Sequence, residues 1–419
     1  MITVGLDFGT HQTKICVERK EGVELSYTFM KFENADQQFC YTLPSVIGIG
    51  KDDLLSYGYL PHNYDGKIIR YFKQNTFMPI SGNMSQESAM RYSVWYIAYL
   101  LFLLEERCGQ QFAIQIGAPT DSSHVDVVKK IATRVVVSAY RLVEEVFDND
   151  KQKFLRTPLS QLIKLTEIVD YSHKIKDEYG LLVFPEAYAC LKPLVNQGKL
   201  TNGMSLMIDI GGGTTDISFF TIENKKPQVY DFYSVNKGLN FLTDACSKEQ
   251  TGTIVNVADS SEIIHRRRSE FVDEISQICR KLNSKLEDEF RRQTRLGINR
   301  LRDALQNRPL VYSGGGSTFN NLCVEYEGYE DKKLISHEEW NLKAVKDIGE
   351  IIHMKLCPIL STAYGLSIST ENDNILKKPF VDIFDTLRGV GEEHHKVTNK
   401  RFNKHTDSWN LYEDWDALK

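Results

Sequence analysis

At 419 residues, with 42% hydrophobic and 26% charged side chains, the chain can bury more than one core, and two or three packing units are expected. A net charge of −5 argues against nucleic acid as a direct partner and against a polybasic membrane anchor. The eight cysteines, at 16, 40, 108, 190, 246, 279, 323 and 357, form no close pair, which reads as reduced thiols in a cytoplasmic protein. The opening MITVGLD has no basic segment followed by an apolar one, so secretion is not expected; the longest apolar run, Val94 to Leu104, is too short for a transmembrane segment.

In chain order, residues 2–33 alternate apolar and polar character around breaks at Gly9-Thr10 and Glu21-Gly22, which predicts three antiparallel strands. Residues 41–49 are a further strand pair with Pro44 at an edge. From Tyr57 to Phe77 aromatic and basic residues interleave, in the manner of a loop lining a charged ligand. Ser88–Arg107 reads as a buried helix and Phe112–Ala118 as a strand ended by Pro119. Asp121 or Ser122 then caps a helix with Val128, Ile131, Val135, Ala139, Leu142 and Val146 on one face. Residues 148–180 are more polar and read as an irregular excursion.

A second sheet is expected from strands at 181–184, 204–210, 215–222 and 228–235, the last two joined by a turn at Asn224–Pro227. Ser261–Arg308 is a long helical region broken near Gly297, with a solvated charged face. Leu310–Ser313 is a strand entering Gly314, Gly315, Gly316 and Ser317, with a helix after it. Residues 342–368 read as a helix, a break at Pro358 and a final helix; beyond 371 the periodicity fades into a tail.

The chemistry concentrates in two stretches of one outline, TVGLDFGTHQTKICV from Thr3 and LMIDIGGGTTDISFF from Leu206. Each runs strand, Asp, small apolar residue, Gly, turn, strand. Gly211, Gly212 and Gly213 leave backbone N–H groups unshielded, which suits close approach to phosphate oxygens, and Gly9 with Thr10 offers the same. Asp7 and Asp209 would repel a polyphosphate unless a cation lies between them, and Mg2+, which keeps most of its waters, answers that need; Asp216 is placed to hold one of those waters. The plainer alternative is that these carboxylates only cap turns. The sequence has no GxxxxGK[ST], kinase HRD, HExxH or GxSxG motif, so nucleotide binding here needs another architecture.

GLDFGT at 5–10, DIGGGTTD at 209–216 and SGGGST at 313–318 resemble, in order, the phosphate-one, phosphate-two and adenosine motifs of the actin superfamily: actin, the DnaK-type heat-shock chaperones, MreB, ParM and FtsA. The resemblance, spanning roughly residues 2–365, implies an α/β, two-lobed actin-like ATPase fold of duplicated ribonuclease-H-like domains with ATP or ADP and Mg2+ in the cleft. It implies that Gly9, Thr10 and the adjoining His11 meet the phosphates from one lobe, and Gly211, Gly212, Gly213, Thr214 and Thr215 from the other. Gly314, Gly315, Gly316 and Ser317 would lie against the adenosine, with Arg280 and Lys281 as adenine-pocket candidates. FPEAYACL at 184–191 is similar to the chaperones' NEPTAAAL stretch, making Glu186 the residue that orients the attacking water. Lys73 resembles their phosphate-contacting lysine, with Arg70 as its competitor; Pro119 and Gly238 resemble residues at the two lobe crossings. The catalytic set so implied is Glu186, Asp209 and Lys73, and the metal set Asp7, Asp209 and Asp216.

The lobes are expected at 1–120 and 121–370, with an insertion near 148–180, a reduced upper part near 239–310, a last helix near 355–370 returning to the first lobe, and a tail at 371–419. The segment after Pro119 is longer than in the chaperones, and no peptide-binding domain follows. The reading that results is a cytoplasmic, Mg-dependent, slowly hydrolysing ATPase switch of DnaK-like character acting on a protein partner. A self-assembling filament of the ParM or MreB kind is the alternative, and a small-molecule kinase or exopolyphosphatase a third.

Overall fold

The structure is a computed structural model that describes residues 2–78, 84–119, 124–169, 179–196, 198, 200, 205–223, 226–243, 262–306, 310–319, 322–324, 344–371 and 373. Strand β1 (Ile2–Phe8) is buried along nearly its whole length, as a central strand covered on both faces must be. It pairs antiparallel with β2 (Gln12–Glu21), and β2 with β3 (Glu24–Phe29), the meander read from the alternation. Leu43–Pro44 adds a short strand to β2, with the proline at the edge.

On its other side β1 pairs in parallel with β4 (Ala113–Ala118), and β4 with β5 (Leu182–Pro185), giving the order β5-β4-β1-β2-β3. Parallel neighbours require crossovers. The chain between β1 and β4 includes helices α1 (Phe72–Phe77) and α2 (Gln86–Cys108); α3 (Val125–Arg141) follows β4 and buries Val128, Ala132, Val135 and Ala139 on one face.

Two expectations fail here. The strand near 181–184 does not open the second sheet, and the lobe boundary at 120/121 does not match the sheets: α3 packs in the first core and β5 bonds to β4. A short apolar run does not reveal which sheet it joins, because parallel pairing is a long-range choice. The 148–180 excursion is also less irregular than read: helices Lys151–Leu155 and Leu159–Ile168 sink Phe154 and Leu162 into the same core. Residues 170–178, like the expected caps Asp121 and Ser122, lie outside the described residues.

The second sheet repeats the plan. After α4 (Glu186–Asn196), strands β6 (Ser205–Ile210), β7 (Thr215–Glu223) and β8 (Lys226–Val235) form the antiparallel triplet, and β9 (Leu310–Ser313) lies parallel to β6. The order is β8-β7-β6-β9. Helices α5 (Leu239–Thr243), α6 (Glu262–Gln293) and α7 (Ile298–Gln306) follow β8. Helix α6 presents Phe271, Ile275, Cys279, Leu282, Leu286 and Phe290 to this sheet's core. The expected break near Gly297 separates α6 from α7.

After Gly314 the chain makes a single 3-10 turn, Gly315–Thr318, and the helix expected beyond Ser317 falls largely outside the described residues. The 342–368 region contains α8 (Ile348–His353) and α9 (Cys357–Ser367). Pro358 is not their break: it sits in the first turn of α9, where a missing N–H costs nothing, and the turn is made at Lys355, whose φ is +56°. Helix α9 joins the halves. A Cβ on Gly5 of β1 would meet the Ala363 carbonyl oxygen at 2.2 Å, and one on Gly365 would meet that of Ala189 in α4 at 1.7 Å, so both contacts exist only because glycine stands there. Of the expected tail, only residues 371 and 373 lie within the described residues.

Candidate functional site

The site grows from two hairpins of one register. In the first, Asp7 stands opposite Lys14 across β1 and β2; in the second, Asp209 stands opposite Asp216 across β6 and β7, seven residues on in each case. Lys14 Nζ lies 2.6 Å from Asp7 Oδ2, a largely buried ion pair. Asp216 has no such counterion on its own hairpin: Thr214 Oγ1 donates to its Oδ2 at 3.3 Å, and its buried Oδ1 has no hydrogen-bond partner.

The turn of the second hairpin is held from behind. Leu239 N donates to the Gly211 oxygen at 3.0 Å and Asn240 N to the Gly212 oxygen at 2.8 Å, while Gln74 Nε2 of α1 reaches the Gly213 oxygen at 2.9 Å. With these carbonyls bonded, what the loop can turn toward an anion is the N–H groups of Gly212 and Gly213. The first loop abuts it: a Cβ on Gly213 would meet Thr10 Cγ2 at 2.7 Å, and one on Gly212 would meet the His11 ring at 2.9 Å.

Each hairpin therefore carries its carboxylate from the first strand of an antiparallel triplet flanked by a parallel strand, and the two turns abut. This duplicated plan resembles an actin-like fold. No protein-family model and no curated protein matches this sequence. Among solved structures, an archaeal actin homolog in complex with ADP is 17% identical, with a TM-score of 0.44 over 88% of this chain and 98% of that one. A 15-stranded ParM filament from Clostridium botulinum is 14% identical, at 0.40 over 87% and 97%. An exopolyphosphatase from Cytophaga hutchinsonii is 12% identical, at 0.32 over 75% and 67%. At such identities and TM-scores nothing about activity passes from those proteins to this chain.

Around the two turns the charges are unbalanced. Strand β5 runs straight into α4, so Glu186 projects from the first turn, and Lys73 Nζ of α1 meets its Oε1 at 2.5 Å, both side chains buried. Gly117 makes room, since a Cβ there would meet Glu186 Cγ at 2.9 Å. Four carboxylates, Asp7, Asp209, Asp216 and Glu186, thus share the interior with two ammonium groups, Lys14 and Lys73. Burial, and then the charges of Glu186 and Asp7, push Asp209 up to about 7. Burial also raises Asp216 well above the carboxylate range, with Glu186 and Asp209 adding to it. Glu186 is raised by burial against the opposing pull of Lys73. Burial alone would lower Lys73, but Glu186 and then Asp7 raise it.

These groups fit a divalent cation: it would supply the missing positive charge and a partner for Asp216 Oδ1. No three His, Cys, Asp or Glu side chains among the described residues are grouped closely enough to form a metal cage by themselves, so such an ion would keep waters or bind ligand oxygens. His11 differs again. Burial, with Arg70 and Lys14 nearby, lowers it to about 4, its ring stacks on Tyr71 at 5.7 Å, and its buried Nε2 has no hydrogen-bond partner.

Other anticipated residues have contacts of their own. Thr215 Oγ1 donates to the Lys237 carbonyl at 2.8 Å and Ser317 Oγ to that of Gly314 at 2.8 Å, so neither hydroxyl needs a ligand. Gly314, with φ +77°, and Gly316 are required by packing, for a Cβ would meet Asp209 Oδ1 at 2.3 Å and Ile210 Cγ2 at 2.1 Å respectively. Gly315 is looser, for a Cβ there would lie 3.6 Å from Leu239 Cδ1, while a Cβ on Gly238 would meet the Gly211 oxygen at 2.6 Å.

Lys281 lines a cavity of about 490 Å³ with Lys237, Glu270, Asp273 and Glu274, but Arg280 is not among its lining residues. The cavity adjoins Gly238 through Lys237 and stands apart from the carboxylates. Of the two cations weighed in the 57–77 loop, Lys73 is buried on Glu186 while Arg70 stays exposed. Lys14, Gln74 and Gly117 escaped sequence reading. Lys14 was within reach, because pairing the first hairpin as the second sets it opposite Asp7; the other two carry no local signal.

Proposed function

We propose that the chain binds ATP with Mg2+ between its two hairpins and hydrolyses it slowly, as a switch acting on a protein partner. The observation that carries this reading is the convergence of two hairpins of identical register on a buried cluster with more carboxylates than cations. Held near Asp7, Asp209 and Asp216, Mg2+ would supply the missing positive charge and neutralise charge on the phosphates. In this reading Asp7, Asp209 and Asp216 hold its water shell, and Gly9, Thr10 and His11 face Gly211, Gly212, Gly213 and Thr214 across the phosphates. Lys73 steadies the transferring group, and Glu186, its basicity raised by burial, directs the attacking water. The adenosine would extend from Gly315 toward Lys281 and its cavity. The first lobe would run through β5, the second from β6 to β9, with α9 returning to the first.

Two variants test the chemistry. Asp209→Ala should remove Mg-dependent hydrolysis of labelled ATP, at least a hundredfold, with the fold retained, and Glu186→Ala should bind ATP but fail to release phosphate; normal hydrolysis by Asp209→Ala sinks the reading. Product analysis in the same assay separates hydrolysis from phosphoryl transfer to a small molecule. Nucleotide-dependent pelleting tests self-assembly, the role named for the ParM filament: polymers formed with ATP would replace the switch on a separate partner.

A further inference from the structure

We propose that Gln74 is a positioning residue that latches the two halves together and, through α1, sets the Lys73–Glu186 pair when they close. The proposal rests on the nucleotide reading above. Helix α1 is anchored in the first core by Phe72, which packs on Phe8 and Tyr96, and by Thr76, whose hydroxyl lies 2.9 Å from Ser93 Oγ of α2. That anchoring does not need Gln74.

Yet Gln74 is buried, and its amide nitrogen spends both hydrogens on the other half: one on the Gly213 oxygen at 2.9 Å, one on Asn236 Oδ1 at 2.5 Å. Its own Oε1 lies 3.0 Å from the point a Gly213 Cβ would occupy, so the fit is made for a bare backbone. The preceding residue, Lys73, turns the other way and holds Glu186. One short helix thus carries, at consecutive positions, the contact to the group meant for the chemistry and the contact to the loop meant for the phosphates.

The start of α1 is under tension of the same kind. Tyr71 adopts φ +61° and ψ 17°, a left-handed conformation unfavourable for an aromatic residue, and stacks on His11, whose ring fills the space beside Gly212. When the second loop withdraws, Gln74 loses a buried hydrogen bond to Gly213 and a half-buried one to Asn236, His11 loses its support, and α1 is released at both points. Removing one buried partner is felt in the group left behind. Opening of the halves would therefore be transmitted to Lys73 through α1, beside the electrostatic pull that Asp216 of the second sheet exerts on it directly.

The test is Gln74→Leu, which keeps the bulk and removes both donors, with Asn236→Ala as a milder cut from the opposite side. Hydrogen exchange of the ligand-free protein should show faster exchange in 205–216 and in 184–192 for Gln74→Leu, and a smaller change in the same direction for Asn236→Ala, with cooperative unfolding retained and melting temperatures lowered by no more than several degrees. With Mg·ATP, single-turnover hydrolysis by Gln74→Leu should fall at least tenfold, and release of a fluorescent ADP analogue should quicken at least fivefold. Unchanged exchange at 184–192 in both variants overturns the latch whether or not nucleotide binds. Normal exchange, hydrolysis and release together overturn it while leaving the nucleotide reading intact, and a parent protein that binds no nucleotide defeats that reading alone.

Discussion

The two hairpins share a register and differ in the residue opposite the aspartate: Lys14 in the first, Asp216 in the second. That one difference divides the labour of a duplicated scaffold. The first hairpin is internally neutral, so Asp7 is held by Lys14. The second stacks two carboxylates across neighbouring strands, an arrangement that like charges oppose, and burial drives both toward protonation. The first half also contributes Lys73, Arg70 and the imidazole of His11, while the second contributes bare glycine backbone. In the proposed reading, a site so divided would meet an anion with cations from one side and with N–H groups from the other, and would leave the surplus carboxylates to a metal.

The largest effect that breaks the comparison comes from turning the first hairpin into an unpaired one. Lys14→Met strands Asp7 in the interior and should cost about 3–5 kcal/mol of stability, read from denaturant unfolding. An effect under 1 kcal/mol would show that the pair matters little.

The second hairpin should respond with the opposite sign. Asp209 is raised from 3.8 to about 7, so the fold favours its protonated form: that preference stabilises at pH below its ordinary value and is lost as pH rises through about 7. Without Mg2+, Asp209→Asn should therefore be more stable than the parent at pH 8, by something on the order of 3 kcal/mol, and the gap should close toward pH 4. Equal stabilities across that range would refute the charge imbalance.

A smaller effect is expected at the rim of the site. His11 is lowered from 6.5 to about 4, so the fold resists its protonation; its contribution is complete above pH 6.5 and is lost as pH falls toward 4. Relative to His11→Gln, the parent should lose on the order of 2 kcal/mol between pH 7.5 and pH 4.5, which thermal melts at the two values can measure.

Much of this arrangement was legible before any coordinates. Alternation marked β1 to β3 and β6 to β8, and the repeated Asp-x-Gly outline announced that two hairpins belong together, because such signals are local. The place of β5 was not legible: a run of four apolar residues says strand, whereas its pairing with β4 depends on residues nearly seventy positions away. The same limit hid Gln74, which lies 139 residues from its partner Gly213 in the chain. The glycines were seen but their cause was only half read; Gly314 and Gly316 are demanded by Asp209 and Ile210, a packing reason invisible in a motif.

The most direct test is a calorimetric titration of ATP into the parent and into Asp209→Ala, each with and without Mg2+. The shared-cleft proposal predicts one site per chain, affinity at least tenfold tighter with Mg2+ in the parent, and little Mg2+ dependence in Asp209→Ala. No binding by the parent, or equal Mg2+ dependence in both proteins, would contradict it.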